Sequence, residues 1–287
     1  MDMIAPQYRV LSLRVAADPQ RTVGTNFFFD SMPADADLPM PQDYIFWIIE
    51  GNGRLIVVDT CFNQEASERR GRRMLRPVER YLADLGIAAE DVTDVIMTHL
   101  HWDHAGNIGL FPNARFHVQA DELAFCTGRA MLHRGVSKIY NREDVQAFLV
   151  PLFEGRVALL KGDAILFPGI SVSKVGGHTP GSMTVNINTQ RGQIVLASDA
   201  AHFYANFANK SPFPILDSFP QALEAFDIIH RLAGGSLAHV IPGHDPLIMS
   251  VFPAHADFES IALLHQEPLI DPAVLIRQQF AARKVPA

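Results

Sequence analysis

The chain contains 287 residues, of which 48% are apolar and 19% are charged, and its formal net charge is −7. This composition is that of an ordinary globular protein and excludes a disordered chain or a coiled coil. The acidic balance argues against a nucleic-acid partner, and no apolar run reaches the roughly 18–20 residues that span a bilayer.

Strands and helices are predicted to alternate along the chain. In chain order the prediction gives two apolar strands over 43–60 around Gly51-Asn52-Gly53, a helix over 65–85 bent at Pro77, strands over 94–98 and 115–118, helices over 119–149, five strands between 156 and 199, a helix over 220–233, a strand over 239–241, and closing helices over 255–283. No linker separates the two halves. We therefore expect a single α/β domain over 1–287, with layered sheets covered by helices.

Cysteine content and the start of the chain bear on location. Cys61 and Cys126 are too few for a disulfide framework. Residues 1–6 lack the basic and apolar regions of a signal peptide. We expect a cytoplasmic protein without a membrane segment, in which both thiols are small core residues rather than nucleophiles.

Five arginines lie close together in the predicted helix over 65–85, at positions 69, 70, 72, 73 and 76. They could bind an anionic ligand or form a solvated helix face. The nearby Glu65, Glu68 and Glu79 offset their charge and favour the solvated face.

Histidine is abundant, with 12 residues, and four potential metal ligands fall within the segment His99-Leu100-His101-Trp102-Asp103-His104. Imidazole and carboxylate suit Zn²⁺ and related divalent ions. His99 and His101 alternate as in extended chain and can face one metal. Asp103 and His104 follow where the chain is expected to turn into a helix, and can face a second.

Three downstream strands also deliver a metal-type residue to their ends. His178 lies in a glycine-rich turn between two strands, Asp199 ends the apolar strand before it, and His244 follows a short apolar strand. Strand ends are where layered α/β proteins build their sites. The pattern predicts a composite metal site.

His99-x-His101-x-Asp103-His104, followed by His178, Asp199 and His244, resembles the metallo-β-lactamase superfamily. The Gly-His-Thr-Pro-Gly-Ser, Ser-Asp-Ala-Ala-His and Pro-Gly-His-Asp-Pro segments are most similar to its N-acyl homoserine lactonase group. The resemblance implies a four-layer αββα sandwich. It also implies two divalent ions, Zn²⁺ foremost, although such ligands also accept Fe²⁺, Mn²⁺ or Co²⁺.

The resemblance assigns a role to each ligand. His99, His101 and His178 would hold one metal, Asp103, His104 and His244 the other, and Asp199 would bridge them together with a water or hydroxide. Asp59, which ends the strand LIVVD, would brace the ligand loop by hydrogen bonds, or simply cap its strand.

The implied reaction is the opening of a lactone ring by the bridging hydroxide, with Asp103 moving the proton to the leaving alkoxide. Typical lactonases carry a tyrosine three residues after the bridging aspartate, and here that position is His202. We expect His202 to replace it as the donor to the substrate oxyanion, which leaves the natural substrate open.

Several aromatic and apolar side chains could line an acyl site or belong to the core: Phe27, Phe28, Phe29, Met40, Phe203, Phe207 and Phe213. Phe28, Phe203 and Phe207 are the chosen substrate contacts, the last two because they follow the strand of the bridging aspartate. Trp102 is expected to pack structurally.

The expected partner is therefore a small-molecule lactone or ester, and a homodimer is compatible with the resemblance. Two other activities of the same fold stay open. One is a thioesterase of the glyoxalase II type, for which the C-terminal tail offers only Arg277, Arg283 and Lys284 as basic residues. The other is an iron-dependent redox protein.

Overall fold

A computed structural model describes residues 6–28 and 36–281. Its strands are β1 Arg9–Asp18, β2 Gln42–Gly51, β3 Arg54–Val58, β4 Arg73–Met74, β5 Asp94–Ile96, β6 Arg115–Gln119, β7 Val157–Leu160, β8 Ala164–Phe167, β9 Ile170–Lys174, β10 Met183–Thr189, β11 Gly192–Ser198, β12 Val240–Pro242, β13 Ala254–His255 and β14 Phe258–Leu263. Its α-helices are α1 Val23–Asn26, α2 Gln64–Arg69, α3 Val78–Asp84, α4 Ala120–Cys126, α5 Arg134–Ser137, α6 Arg142–Phe153, α7 Tyr204–Ala208, α8 Phe219–Leu232, α9 Ile248–Val251 and α10 Pro272–Ala281. Short 3₁₀ segments lie at Ala89–Asp91, Ile108–Leu110, Arg129–Leu132 and Leu237–His239.

The described strands form two sheets. The first has the order β13-β14-β1-β2-β3-β5-β6-β7, with β4 paired to β1, and the second has the order β12-β11-β10-β9-β8. Strands β3, β5, β6 and β7 run parallel, as do β11 and β12. The carboxyl ends of parallel neighbours meet at one edge of a sheet, which is where polar side chains from separate segments can converge.

The central strands are buried on both faces of their sheets, which explains why they are continuous apolar runs in the sequence. Along residues 44–49 of β2, alternate side chains enter the core cluster beneath the helices and the cluster between the two sheets. On the second sheet, Val195 and Val240 pack outward against Phe226 and Ile229 of α8. Helices thus cover both outer faces, and the expected four-layer αββα sandwich is confirmed.

The single bent helix expected over 65–85 is wrong. Gly71 takes a left-handed φ of 65° after α2, and the chain then pairs Arg73 and Met74 with β1 before α3 begins. Backbone N–H groups of Leu75 and Arg76 both donate to the Val15 carbonyl. The edge of β1 satisfies these donors, so pairing with a distant strand overrides the helical spacing.

Two other helical regions also differ from the expectation. Residues 119–149 contain four short helical segments, because Gly128 and the turn near His133 interrupt them. The chain over 255–263 is strand rather than helix: β14 pairs antiparallel with β1, and only α10 is helical in the expected closing region. Strand β1 itself was not predicted. Arg283 and Lys284 lie outside the described residues.

Candidate metal centre

The metal-type side chains gather where strands of both sheets end. The segment 99–104 follows β5 directly, and it is a series of turns rather than the start of a helix. The residues that the structure brings together are His99, His101, Asp103, His104, His178, Asp199, His202 and His244. All are buried. Such a concentration of buried polar groups needs compensation by hydrogen bonds or by cations.

One group combines His99, His101 and His178 with Asp199. The potential ligand atoms of these four residues all lie within 4.8 Å of one another. His101 Nδ1 and His178 Nε2 are 2.8 Å apart, and His178 Nε2 is 3.2 Å from Asp199 Oδ2. Three imidazole nitrogens and one carboxylate oxygen thus face a common point.

A second group combines Asp103, His104 and His244, whose ligand atoms also lie within 4.8 Å of one another. His104 Nε2 and His244 Nε2 are 3.1 and 3.0 Å from Asp199 Oδ1. Because the other oxygen of Asp199, Oδ2, faces the first group, this one carboxylate lies between the two.

Ring tautomers support the interpretation as ligands. Nδ1 of His178 lies 2.7 Å from the Ile215 carbonyl, and Nδ1 of His244 lies 2.7 Å from the Asp43 carbonyl. A carbonyl only accepts, so each Nδ1 carries the proton and a neutral ring presents a lone pair at Nε2. His104 is held in the same way, with Nδ1 2.8 Å from Asp59 Oδ2. Second-nitrogen hydrogen bonds of this kind accompany metal-binding histidines.

The Nε2 atoms of His99, His101, His104 and His244, together with Asp199 Oδ1, make no hydrogen bond among the described residues. A nitrogen that faces a carboxylate oxygen at this distance needs a proton or a metal cation between the two atoms. The donor set of five imidazoles and two carboxylates, with His202 as a sixth imidazole beside it, is one that divalent ions such as Zn²⁺ accept. The residues therefore fit two divalent metals.

The pKa shifts of the histidines in the cluster agree with this fit. Burial, reinforced by the neighbouring histidines, lowers the pKa values of His99 and His101 well below the usual range. Burial also acts to lower the pKa of His104, but the surrounding carboxylates, first among them Asp199, raise it well above the usual value. Without a metal the carboxylates thus favour protonated imidazoles nearby, and a bound cation takes the place of these protons.

Asp59 fixes the ligand loop. It is fully buried, and it adopts a left-handed φ of 57° directly after β3. Its Oδ1 accepts from the Thr98 backbone N–H at 2.8 Å, and its Oδ2 accepts from the Thr98 hydroxyl at 2.7 Å and faces His104 Nδ1. Asp59 thus connects the end of β3 to Thr98 and His104 of the ligand loop.

Glu122 also holds the ligand loops in place, and no pattern in the sequence predicts this role. This fully buried carboxylate accepts from the Leu100 N–H at 3.0 Å, the Thr179 hydroxyl at 2.5 Å and the Gly181 N–H at 3.2 Å. It thereby ties the loop of His99 and His101 to the loop of His178. A Cβ at residue 181 would collide with Glu122, so glycine permits this close approach.

His202 faces the cluster, with Nε2 3.1 Å from Asp199 Oδ2. Burial, opposed by the Asp199 carboxylate, lowers the pKa of His202 to about 3, so its ring is neutral near pH 7 and donates through one N–H. The tyrosine nearest to His202 in the sequence, Tyr204, is buried in the core between the sheets and donates its backbone N–H to Asp245. It does not replace the tyrosine of the resembled lactonases.

The phenylalanines chosen as substrate contacts lie outside the site cavities. Phe203 is buried between the sheets, and Phe207 packs edge-on against Phe226 and lines a separate cavity. Phe28 is half-buried with its ring 5.0 Å from that of Phe219, and Phe29 lies outside the described residues. Phe213 is the candidate that lines the metal-site cleft.

Trp102 and the cysteines take structural places. The Trp102 ring packs 4.7 Å from that of Phe62 and beneath the guanidinium of Arg70, although it also borders the cleft. Cys61 and Cys126 are buried free thiols, and burial raises the pKa of each. Raised thiol pKa values disfavour nucleophilic roles.

Three cavities in the described part of the chain border the cluster, and the smallest, of about 10 Å³, is lined by His178, Asp199 and Phe213 among others. A cleft of about 60 Å³ is lined by Arg21, Gln42, Tyr44, Arg72, His101, Trp102, Asp103, Ile139, His178, Asp199, His202, Phe213 and Ile215. A larger cavity of about 240 Å³ shares His101, Ile139, His178 and Ile215 with it. Arg72 therefore belongs to the cleft rather than to the solvated helix face that its sequence neighbours favoured.

Comparison with known proteins agrees with this geometry. The model of the metallo-beta-lactamase superfamily matches residues 46–244. An N-acyl homoserine lactonase from a Bacillus species is 30% identical over 165 residues, 57% of this chain and 60% of its own length. The N-acyl homoserine lactonase AttM of Azorhizobium caulinodans is 27% identical over 228 residues, 74% of this chain and 84% of its own. The match to the first relative thus spans about 60% of that protein.

Solved structures share the fold. A quorum-quenching N-acyl homoserine lactone lactonase superposes with a TM-score of 0.68 at 23% identity, over 86% of this chain and 95% of that one. AidC, a dizinc quorum-quenching lactonase, superposes with a TM-score of 0.67 at 17% identity, over 85% of this chain and 90% of that one. Separately, none of the helices in the described residues has the length and apolarity needed to cross a membrane.

Proposed function

Because the chain belongs to the metallo-beta-lactamase superfamily, we propose that it is a dinuclear metal hydrolase that opens the ring of a lactone. One observation carries the proposal: the two oxygens of Asp199 face two separate groups of ligand atoms. The names of the relatives, N-acyl homoserine lactonases, support an ester-type substrate. We further propose Zn²⁺ as the metal, since the donor set is rich in imidazole.

Ester hydrolysis needs an activated water, a polarised carbonyl and a proton for the leaving alkoxide. When bound, two divalent ions supply the first two by lowering the pKa of water and acting as Lewis acids. One ion would be held by His99, His101 and His178, and the other by Asp103, His104 and His244. Asp199 would bind both ions.

The chain's own residues complete the reaction. The Nε2–H of His202 points to the side of the site occupied by Asp199 and would donate to the oxyanion that develops from the carbonyl. Asp103 lines the cleft, with its Oδ2 3.8 Å from His244 Nε2, and would carry the proton to the leaving alkoxide. Asp59 and Glu122 orient the ligand loops. No serine or cysteine nucleophile takes part in this mechanism.

A substrate panel tests the function. Protein loaded with a defined metal is assayed on γ- and δ-lactones, acyl homoserine lactones, thioesters and phosphodiesters. We expect ring opening of lactones that disappears in His101→Ala and persists in the exposed control His133→Ala. Thioester hydrolysis alone would indicate a glyoxalase II-type enzyme, and iron-dependent oxygen consumption without ester hydrolysis a redox protein. Either result overturns the proposal.

The single domain over 1–287, the homodimer and the cytoplasmic location stay predictions. Ultracentrifugation of the metal-loaded chain tests the dimer. Partial proteolysis tests the single domain, for which one protected fragment is expected.

A further inference from the structure

The cleft at the metal centre carries two guanidinium groups that the proposed hydrolysis does not use. Arg21 follows β1 in a loop, and Arg72 lies between α2 and β4; both line the cleft. The larger cavity beside it contains neither arginine. The positive charge of the two side chains is therefore confined to one part of the site.

Arg21 is held in place by neutral acceptors. Its Nε donates to Asn26 Oδ1 at 2.6 Å, and its Nη2 donates to the Thr25 carbonyl. Its guanidinium lies over the ring of Phe213, 4.7 Å from the centroid. Among the described residues Arg21 forms no ion pair with a carboxylate, so neutral groups fix its orientation, while Asp18 and Asp103 act on its charge from farther away.

Arg72 is the second cation of the cleft. It pairs with Asp18 at 3.0 Å, and its guanidinium lies 5.9 Å from the Tyr44 ring centroid. The carboxylates that line the cleft are Asp103 and Asp199, both proposed metal ligands whose charge the bound ions would offset. Of the two guanidiniums, Arg72 is therefore paired with a carboxylate, Asp18, and Arg21 has no ion-pair partner among the described residues.

We propose that Arg21 and Arg72 bind a carboxylate carried by the substrate, so that the preferred lactones are anionic. This inference rests on the proposed lactonase function. Guanidinium forks match the planar carboxylate with paired, charge-assisted hydrogen bonds. Arg21 and His202 both contact the Phe213 ring, the Arg21 guanidinium at 4.7 Å and the His202 ring at 3.8 Å from its centroid. Because all three residues line one cleft, a lactone whose carbonyl lies at His202 would place a ring carboxylate close to Arg21.

Neutral lactones do not use these charges. An N-acyl homoserine lactone carries an amide and no formal charge, so it gains no ion pair from Arg21. The apolar part of such a substrate would enter the larger cavity, which Phe125, Val136 and Ile139 line together with Lys138 and Asp217. The arginines therefore separate two substrate classes that one metal centre could serve.

The test compares a γ-butyrolactone bearing a ring carboxylate with its carboxamide. We expect kcat/KM to be about tenfold or more higher for the carboxylate, as one charge-assisted hydrogen bond allows, and to fall with added salt for that substrate alone. Arg21→Gln should bring the ratio close to one by lowering kcat/KM for the carboxylate far more than for the carboxamide, while Arg21→Lys keeps part of the preference. Arg69→Gln removes an exposed arginine from α2 and should change neither rate.

A second readout separates this inference from the function itself. Cyclopentanone bearing the same carboxylate cannot be hydrolysed, and its binding to the metal-loaded protein can be followed by calorimetry. Arg21-dependent binding without any lactone opening would support the anion site and refute the lactonase. Lactone opening with equal kcat/KM for carboxylate and carboxamide, or equal loss on both in Arg21→Gln, would refute the anion site alone.

Discussion

The imidazole of His202 stacks on the phenyl ring of Phe213, with centroids 3.8 Å apart and planes only 5° from parallel. This contact fixes the ring orientation that places Nε2 3.1 Å from Asp199. Both side chains line the cleft. The stack therefore acts as a support for a donor aimed at the proposed reaction centre.

Replacing His202 separates catalysis from packing. His202→Phe keeps an aromatic ring for the stack and removes the N–H, so we expect kcat to fall about 10²–10³-fold with both metals retained. His202→Tyr restores a donor hydroxyl and should recover part of the rate. Steady-state kinetics with metal analysis on the same samples decides: an unchanged kcat in His202→Phe leaves the residue as packing.

Asp199→Asn tests the shared carboxylate. The amide carries no negative charge, so it no longer supplies an anionic oxygen to both groups of ligand atoms. We therefore expect metal content and ring-opening rate to fall together. Elemental analysis of the purified variant measures the first. Retention of two ions at full rate would contradict the bridging role.

Glu122→Ala tests the brace between the ligand loops. It leaves the Leu100 and Gly181 N–H groups and the Thr179 hydroxyl without their buried acceptor. We expect a loss of at least ~2 kcal/mol in unfolding free energy and metal affinity lowered about 10–100-fold.

Glu122→Gln keeps one acceptor oxygen and should fall between the wild type and Glu122→Ala in both respects. Glu143→Ala, at an exposed position of α6, is the matched control and should leave both unchanged. Equal metal affinity in Glu122→Ala and in the control would remove Glu122 from the site.

Asp144 gives the pH dependence of stability a definite sign. Burial raises its pKa from 3.8 to about 6, against the hydrogen bond from Asn141. Below pH ~4 both states hold the proton, between pH ~4 and ~6 only the native state does, and above ~6 neither does. Ionised Asp144 therefore destabilises the native state increasingly as pH rises through this window.

Asp144→Asn removes that effect while its side-chain oxygen can still accept from Asn141. Its stabilisation relative to the wild type should grow from pH 5 to pH 8 and reach at most about 3 kcal/mol. Urea unfolding at several pH values measures it. A difference that is constant or shrinks with pH would contradict the raised pKa.

The sequence predicts those site residues that lie together in one short segment or directly follow an apolar strand. His99, His101, Asp103 and His104 fall in one short segment, and His178, Asp199 and His244 each follow a recognisable apolar strand, so their convergence could be predicted. Glu122 could not, because its partner Gly181 is 59 positions away and nothing in a buried glutamate's neighbours indicates what it accepts from.

The residues that line the cleft and the strands at the edge of the first sheet could not be predicted from local sequence patterns either. Arg72 directly precedes β4, whose pairing with β1 was concealed by the helical spacing over 65–85, and it lines the cleft together with Arg21. Phe207 was chosen because it follows Asp199 in sequence, but α7 directs it toward Phe226, whereas Phe213 reaches the cleft beyond that helix. In each case, contacts between residues far apart in the sequence determine where the side chain lies.

The central claim is a catalytic centre of two metals joined through Asp199. Its most direct test is the rate of lactone opening as metal-free protein is titrated with Zn²⁺. We predict that the rate rises until two equivalents are bound, is abolished by a chelator, and is absent at every equivalent in Asp199→Asn. Full activity at one equivalent, or no lactone opening with two ions bound, would contradict it.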